Sequence, residues 1–191
     1  DRAGHRMSDI AVQRAKLRDI IQRLSFFRGD ITLASGKKST FYFDMKPSMF
    51  DPNGADLMSD LIVERLKDVP CDLVGGLEMG AVPLISPIGI KSLKTSRPMP
   101  GFFVRKAVKD HGTKKLIDGV GDVKGKSVVI LEDVTTTGQS AMQAVRALEA
   151  AGAKITLVIS IVDREDGAED LYREAGIPFA PLFKAHEFLA G

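Results

Sequence analysis

Glu132 and Asp133 stand side by side after an apolar run, Val128-Val129-Ile130-Leu131, and are followed by Val134, three threonines and Gly138. Ionised carboxylates only accept hydrogen bonds, so an adjacent pair matches the vicinal hydroxyls of a sugar. Thr135, Thr136, Thr137 and Gly138 offer hydroxyls and backbone N–H groups, and the spacing of Met142, Val145 and Leu148 predicts an amphipathic helix whose N-terminus attracts anions. With diol chemistry at one end and phosphate chemistry at the other, this short segment suits a ribose 5-phosphate. The acid pair alone reads as well as a solvated strand end; the whole order of residues favours the ligand.

Three other stretches carry chemistry-bearing residues. Gly75-Gly76-Leu77-Glu78-Met79-Gly80 follows an apolar strand and enters a helix, and its glycines would let backbone N–H groups approach an anion, or simply form a tight turn. The stretch Arg105 to Lys115 holds five Lys/Arg and one acid without apolar periodicity, which predicts a long basic loop. Arg164 follows the apolar run Ile155 to Val162, where a guanidinium could hold a carboxylate by two parallel hydrogen bonds or form an ion pair with Asp163 or Glu165.

Two rival phosphate motifs fail on position. Gly125-Lys126-Ser127 has the ending of a Walker A loop, but Val120 occupies the place of its first glycine and the tripeptide leads into a strand. There is also no Gly-x-Gly-x-x-Gly fingerprint.

These segments need a scaffold that brings them together. The 191 residues, 44% hydrophobic and 27% charged, are enough for one soluble domain with a real core. No apolar stretch approaches the ~20 residues of a membrane helix, and a net charge of +2 gives no reason to expect nucleic-acid binding. A lone Cys71 and three scattered histidines do not make a zinc motif, and a single thiol suits a reducing cytoplasm. Residues 1–6 read as an expression remnant before Met7, with no secretion signal.

Behind Ser8, a good N-cap, apolar spacing predicts a helix over 9–25. The runs 31–33 and 41–43, split by Ser35-Gly36, predict a hairpin. From Asp51-Pro52 onward helices (52–67, 80–93, 139–151, 168–175) alternate with short strands (72–74, 101–104, 127–131, 155–162, 179–183). Strands apolar on both faces, alternating with helices, predict an α/β fold with a parallel sheet covered on each side, with ligands at the carboxyl ends of the strands.

The strand, acid pair and Thr/Gly turn resemble the 5-phosphoribosyl 1-diphosphate (PRPP) signature of the type I phosphoribosyltransferases, where the first acid is often Asp instead of Glu132. Arg105-Lys106-x-x-Lys109-x-His111-Gly112 resembles a catalytic loop particular to the orotate phosphoribosyltransferases. Leu33-Ala34-Ser35-Gly36-Lys37-Lys38-Ser39-Thr40-Phe41-Tyr42-Phe43-Asp44 resembles that family's base-pocket segment, although Ala34 stands where several members have lysine; Lys37, Lys38 or Lys46 could replace it, with Lys46 favoured. Asp163-Arg164-x-x-Gly167 resembles the segment whose arginine contacts orotate.

The resemblance implies a parallel-sheet core with helices on both faces, one domain over 7–191, and a small N-terminal hood mainly within 7–50. It implies transfer of phosphoribosyl from PRPP to N1 of orotate in pyrimidine synthesis, with Lys109, His111 and Asp133 catalytic. PRPP would be held by Arg105, Lys106, Lys109 and His111 from the basic loop and by Glu132, Asp133, Thr135, Thr136, Thr137 and Gly138. Glu78, Met79 and Gly80 would hold pyrophosphate; Tyr42, Phe43, Lys46, Thr136 and Arg164 would hold orotate. Mg²⁺ would be carried mainly by PRPP, without a protein metal site. A cytoplasmic homodimer, its basic loop reaching into the neighbouring site, is expected, with neither nucleic acid nor membrane as a partner. A phosphoribosyltransferase for a purine would lack a use for Arg164, and a PRPP-sensing regulator could dispense with the Lys/His loop.

Overall fold

The computed structural model describes residues 2–108, 111–112 and 115–190. The chain opens with helix α1 (Arg2–Leu24) and the antiparallel hairpin β1 (Phe26–Thr32) and β2 (Lys38–Phe43). A short α2 (Lys46–Met49) and α3 (Pro52–Arg65) lead to β3 (Leu73–Leu77) and α4 (Glu78–Ser92). Then come β4 (Gly101–Val104), β5 (Ile117–Gly119), β6 (Ser127–Thr135), α5 (Gln139–Ala150), β7 (Lys154–Asp163), α6 (Ala168–Glu174), β8 (Phe179–Lys184) and α7 (His186–Leu189).

Helix α3 begins where the sequence places it. Asp51 is in extended conformation and its carboxylate accepts from the Gly54 N–H at 2.9 Å, while Pro52 occupies the first helical position, where no N–H is needed. Helix α1 starts earlier than the Ser8 cap predicts and takes in residues 2–6; Arg6 reaches Glu64 on α3 as an ion pair, a contact between distant segments that local patterning does not encode.

The main sheet has strand order β5-β4-β3-β6-β7-β8. All its pairings are parallel except β4 with the short edge strand β5, an antiparallel addition absent from the sequence reading. Side chains alternate between the two faces of β6. Val129 and Leu131 enter the core under α1, α3, α4 and the hairpin, whereas Val128 and Ile130 enter the core under α5 and α6. Strands buried on both sides read as continuous apolar runs, which explains why these were visible in the sequence. Hairpin residue Phe26, Met45 at the N-cap of α2 and Met49 within α2 pack into the first of these cores, so this N-terminal segment shares its interior with the sheet.

Strand β3 neighbours β4 on one side and β6 on the other. Its flanks therefore meet at the point where the winding reverses, the place where open α/β sheets bind ligands. Because the strands are parallel, Glu78, Arg105, Thr136 and Arg164 all follow strand ends at the same edge. Among the described residues, no helix is long and apolar enough to cross a membrane.

Candidate active site

Asp133 and Gly80 face each other across the reversal point. A Cβ built on Gly80 would lie 2.7 Å from Asp133 Oδ1, so the first turn of α4 can approach β6 closely only without a side chain there. Burial raises the Asp133 carboxyl above its usual range, opposed by backbone N–H groups at Val134 and Asp133 and by the charge of Lys46, while the charge of Asp44 adds to the rise. Lys46 Nζ lies 2.8 Å from Asp44 Oδ1 at the cleft margin.

Glu132 turns the other way. It is buried on the α5 and α6 side of β6, where Thr135 donates its hydroxyl to Glu132 Oε2 and Tyr172 approaches the same oxygen at 3.4 Å. The backbone N–H of Ala141, in the first turn of α5, also favours the charged carboxylate. Burial outweighs these donors and, with repulsion from Asp133, pushes the Glu132 carboxyl up to about 7. The two acids thus occupy different environments, as the two-residue repeat of a strand requires.

The turn after β6 forms an anion-receptive cradle. Gly138 has φ +88°, which favours glycine, and begins α5 with no side chain capping the helix. The first N–H groups of a helix lack intrahelical acceptors and carry its positive dipole end. Thr136 is half-buried and Thr137 exposed, whereas the buried Thr135 hydroxyl is committed to Glu132. Glu78, Met79 and Gly80 form the first turn of α4. Gly75 and Gly76 lie inside β3 and pack against Phe102 and Leu131, so they belong to the sheet and not to a phosphate loop.

The basic loop starts at this edge. Glu78 Oε1 accepts from the Lys106 N–H at 3.2 Å, and Gln143 on α5 donates to the Lys106 carbonyl at 3.1 Å, fixing the loop's root between α4 and α5. Arg105 instead pairs with Asp118 at 2.6 Å and lies over Phe103, which directs it to the sheet edge. His111 is exposed. Lys109 lies outside the described residues.

Arg164 joins this edge to the hood. Its backbone N–H bonds to Thr135 O at 2.9 Å, and its guanidinium donates to Phe41 O at 3.2 Å, Ser39 Oγ at 3.0 Å and Asp166 Oδ2 at 3.1 Å, stacked 4.2 Å over the Phe41 ring. These contacts use three of the five guanidinium N–H donors. Arg164 and Asp166 line a cavity of about 610 Å³ together with Lys37, Lys38, Ser39 and Phe41. Lys37 Nζ lies 2.9 Å from Asp166 Oδ1, which makes Lys37 the lysine beside Arg164, while Lys46 sits nearer Asp133. Tyr42 stacks on Phe27, and Phe43 packs among Phe26, Phe41 and Phe188; neither lines this cavity. The sequence reading names Asp163 and Glu165 as ion partners of Arg164, whereas Asp166 fills that place, and Tyr172, 40 residues from Glu132, carries no local signal.

The Phosphoribosyl transferase domain family matches residues 51–177, which contain both helix N-termini, the acid pair and Arg164. An orotate phosphoribosyltransferase of Rhodopseudomonas palustris (strain BisB5) is 53% identical over 182 residues, covering 94% of this chain and 97% of that protein. The chain belongs to the orotate phosphoribosyltransferase family. Among solved structures, the Mycobacterium tuberculosis H37Rv orotate phosphoribosyltransferase in complex with Fe(III) dicitrate aligns with a TM-score of 0.80 at 33% identity, covering 92% of this chain and 98% of that one. The same enzyme in complex with PRPP aligns at 0.77 and 31%, with the same coverage. The orotate phosphoribosyltransferase fold therefore accounts for the mixed sheet with its parallel core.

Proposed function

We infer that the cleft at the β3/β6 reversal transfers phosphoribosyl from PRPP to N1 of orotate, giving orotidine 5′-monophosphate and pyrophosphate. The single observation that carries this reading is the meeting of Asp133 with the α4 N-terminus in a cleft bordered by the Thr136–Gly138 turn. In this reading Asp133 accepts from the ribose hydroxyls. Thr136, Thr137 and the N–H groups around Gly138 hold the 5′-phosphate, and the first turn of α4 faces the pyrophosphate. Thr135 and Glu132 support the cradle from beneath.

Bond breaking at C1 leaves a cation-like ribosyl group and a highly charged leaving group, so fixed positive charge and exclusion of water are required. Lys106, Lys109 and His111 bring that charge as the basic loop folds over the cleft, with Arg105 anchoring its root at the sheet edge. Orotate is already an anion, so no dedicated base is needed. Alignment of two bound substrates can contribute ~7–11 kcal/mol, more than a typical general base at ~10²–10⁴-fold. Arg164 has two N–H donors left for the orotate carboxylate, and Lys37 adds charge beside it.

Mg²⁺ takes few protein carboxylates and fills its positions with substrate phosphate oxygens and water, so it would be carried mainly by PRPP, with Asp133 the acid that faces it in the cleft. When bound, Mg²⁺ would neutralise pyrophosphate charge.

A homodimer is supported by helix α4. It buries Ala81, Leu84 and Ile88 inward, yet exposes Met79, Val82 and Ile90, with Leu93 exposed at its C-cap, and a helix apolar on both sides calls for cover on both. A second copy would place the basic loop near the neighbouring cleft. We place the enzyme in the cytoplasm, whose reducing conditions suit the buried free thiol of Cys71.

The direct test offers orotate, uracil or a purine with PRPP and Mg²⁺ and follows pyrophosphate release. Release is expected with orotate only and is expected to stop when EDTA removes the metal; release with a purine overturns the reading. Lys109→Ala should lower turnover far more than PRPP affinity.

A further inference from the structure

Tyr172 is fully buried on α6, and its hydroxyl reaches both strand β6 and the turn that follows it. It lies 3.4 Å from Glu132 Oε2 and 3.3 Å from the Gly138 carbonyl oxygen. A Cβ on Gly138 would stand 3.0 Å from Tyr172 Cζ and 3.1 Å from its hydroxyl, so the turn rests directly on the phenol. The ring also packs on Phe179, with centroids 4.8 Å apart. Burial and the adjacent Glu132 carboxylate push the phenol above its usual range, so the hydroxyl remains a donor.

We propose that Tyr172 is a positioning residue for PRPP: its hydroxyl bridges Glu132 and Gly138 and thereby holds the phosphate turn at the head of α5 in its binding geometry. A tyrosine hydroxyl has one proton for two acceptors here, so it is shared between strand β6 and the turn and ties them to α6. Glu132 completes the frame by accepting also from Thr135, three residues further along. The bond is buried, where loss of a donor leaves acceptors unsatisfied. A preformed cradle spares PRPP the ordering of the turn on binding. The inference rests on reading Thr136–Gly138 as the phosphate cradle.

The experiment compares Tyr172→Phe, which keeps the ring, with Phe179→Leu, which loosens the ring but keeps the hydroxyl, and Thr137→Val, which alters the exposed turn itself. Steady-state kinetics with PRPP and orotate varied separately are combined with thermal melting of each variant. For Tyr172→Phe we expect the Michaelis constant for PRPP to rise about fivefold, the scale of one buried hydrogen bond, with that for orotate moving less than about twofold. Phe179→Leu should lower the melting temperature with a smaller effect on PRPP. In a double-mutant cycle, Tyr172→Phe should be less than additive with Glu132→Gln, because both act on one network. A PRPP constant that follows the loss of melting temperature equally in Tyr172→Phe and Phe179→Leu overturns the proposal, assigning Tyr172 to packing alone. Weakened PRPP use in Thr137→Val but not in Tyr172→Phe overturns this inference only. Unchanged PRPP use in both overturns the phosphate cradle and the inference with it.

Discussion

Glu132 and Asp133 are consecutive in the chain and face opposite sides of β6: Asp133 lies against Gly80 in the cleft, and Glu132 lies beneath the next turn with Thr135 and Tyr172. Their replacement should therefore separate binding from stability. Asp133→Asn removes a charged acceptor from the cleft while relieving a buried charge. The loss of one charge-assisted hydrogen bond, ~1.5–3 kcal/mol, lowers kcat/KM for PRPP roughly 10- to 150-fold. The melting temperature should hold or rise. Glu132→Ala should do the reverse in emphasis, lowering the melting temperature by stranding buried donors. A large drop in melting temperature for Asp133→Asn would contradict the assignment.

Glu132 should also impose a pH dependence on folding. Its carboxyl is raised from 4.5 to about 7 in the folded chain, chiefly by burial. Below about 4.5 both folded and unfolded chains hold the proton. Between the two values only the folded chain does, so the stability associated with this proton is full at low pH and is lost as pH rises through about 7, by on the order of 3 kcal/mol. Asp133 and Asp163 are raised too and contribute with the same sign. Urea unfolding at about pH 5 and about pH 8 isolates the Glu132 share: Glu132→Gln should reduce the fall in stability between these conditions relative to the unmodified chain.

Much of this arrangement is legible in the sequence, for reasons of physics. The apolar runs that became β6 and β7 are buried on both faces, and Asp51-Pro52 carries its own cap chemistry, so local patterning specifies them. The acid pair and threonine turn stand within one strand–turn–helix unit and could be read together. Contacts made by tertiary packing could not. The Lys37–Asp166 ion pair joins residues from the hairpin and from the β7 exit, and Phe41, not Phe43, lies under Arg164: the two rings share one face of β2, and Phe43, two residues further along, sits among Phe26 and Phe188. The edge strand β5 is only three residues long and has no apolar run to announce it.

Arg164 combines a substrate role with a structural one, and its variants should reveal both. Arg164→Ala should raise the Michaelis constant for orotate selectively, and it should also destabilise the chain by ~1–3 kcal/mol through loss of its bonds to Phe41, Ser39 and Asp166. Arg164→Lys should not restore orotate binding, because an ammonium cannot reproduce the planar fork. Kinetics with orotate and PRPP varied separately, together with urea titrations, measure the two effects. An equal rise for both substrates would remove Arg164 from base recognition.

Gly80→Ala offers the sharpest test of the cleft geometry, because helix energetics and site geometry push in opposite directions. Within α4, replacing glycine by alanine favours the helix by about 1 kcal/mol. The added methyl, however, would meet Asp133 Oδ1 at 2.7 Å, closer than real Cβ contacts allow, so the carboxylate must move from its place opposite the α4 N-terminus. The expected variant melts at or slightly above the temperature of the unmodified chain and has a kcat/KM for PRPP reduced about tenfold or more, equivalent to at least ~1.4 kcal/mol of transition-state stabilisation. Displacement of the acid should be visible as a shifted Asp133 carboxyl resonance in a pH titration by NMR. Full activity with an unshifted Asp133 would mean that this carboxylate does not touch the sugar.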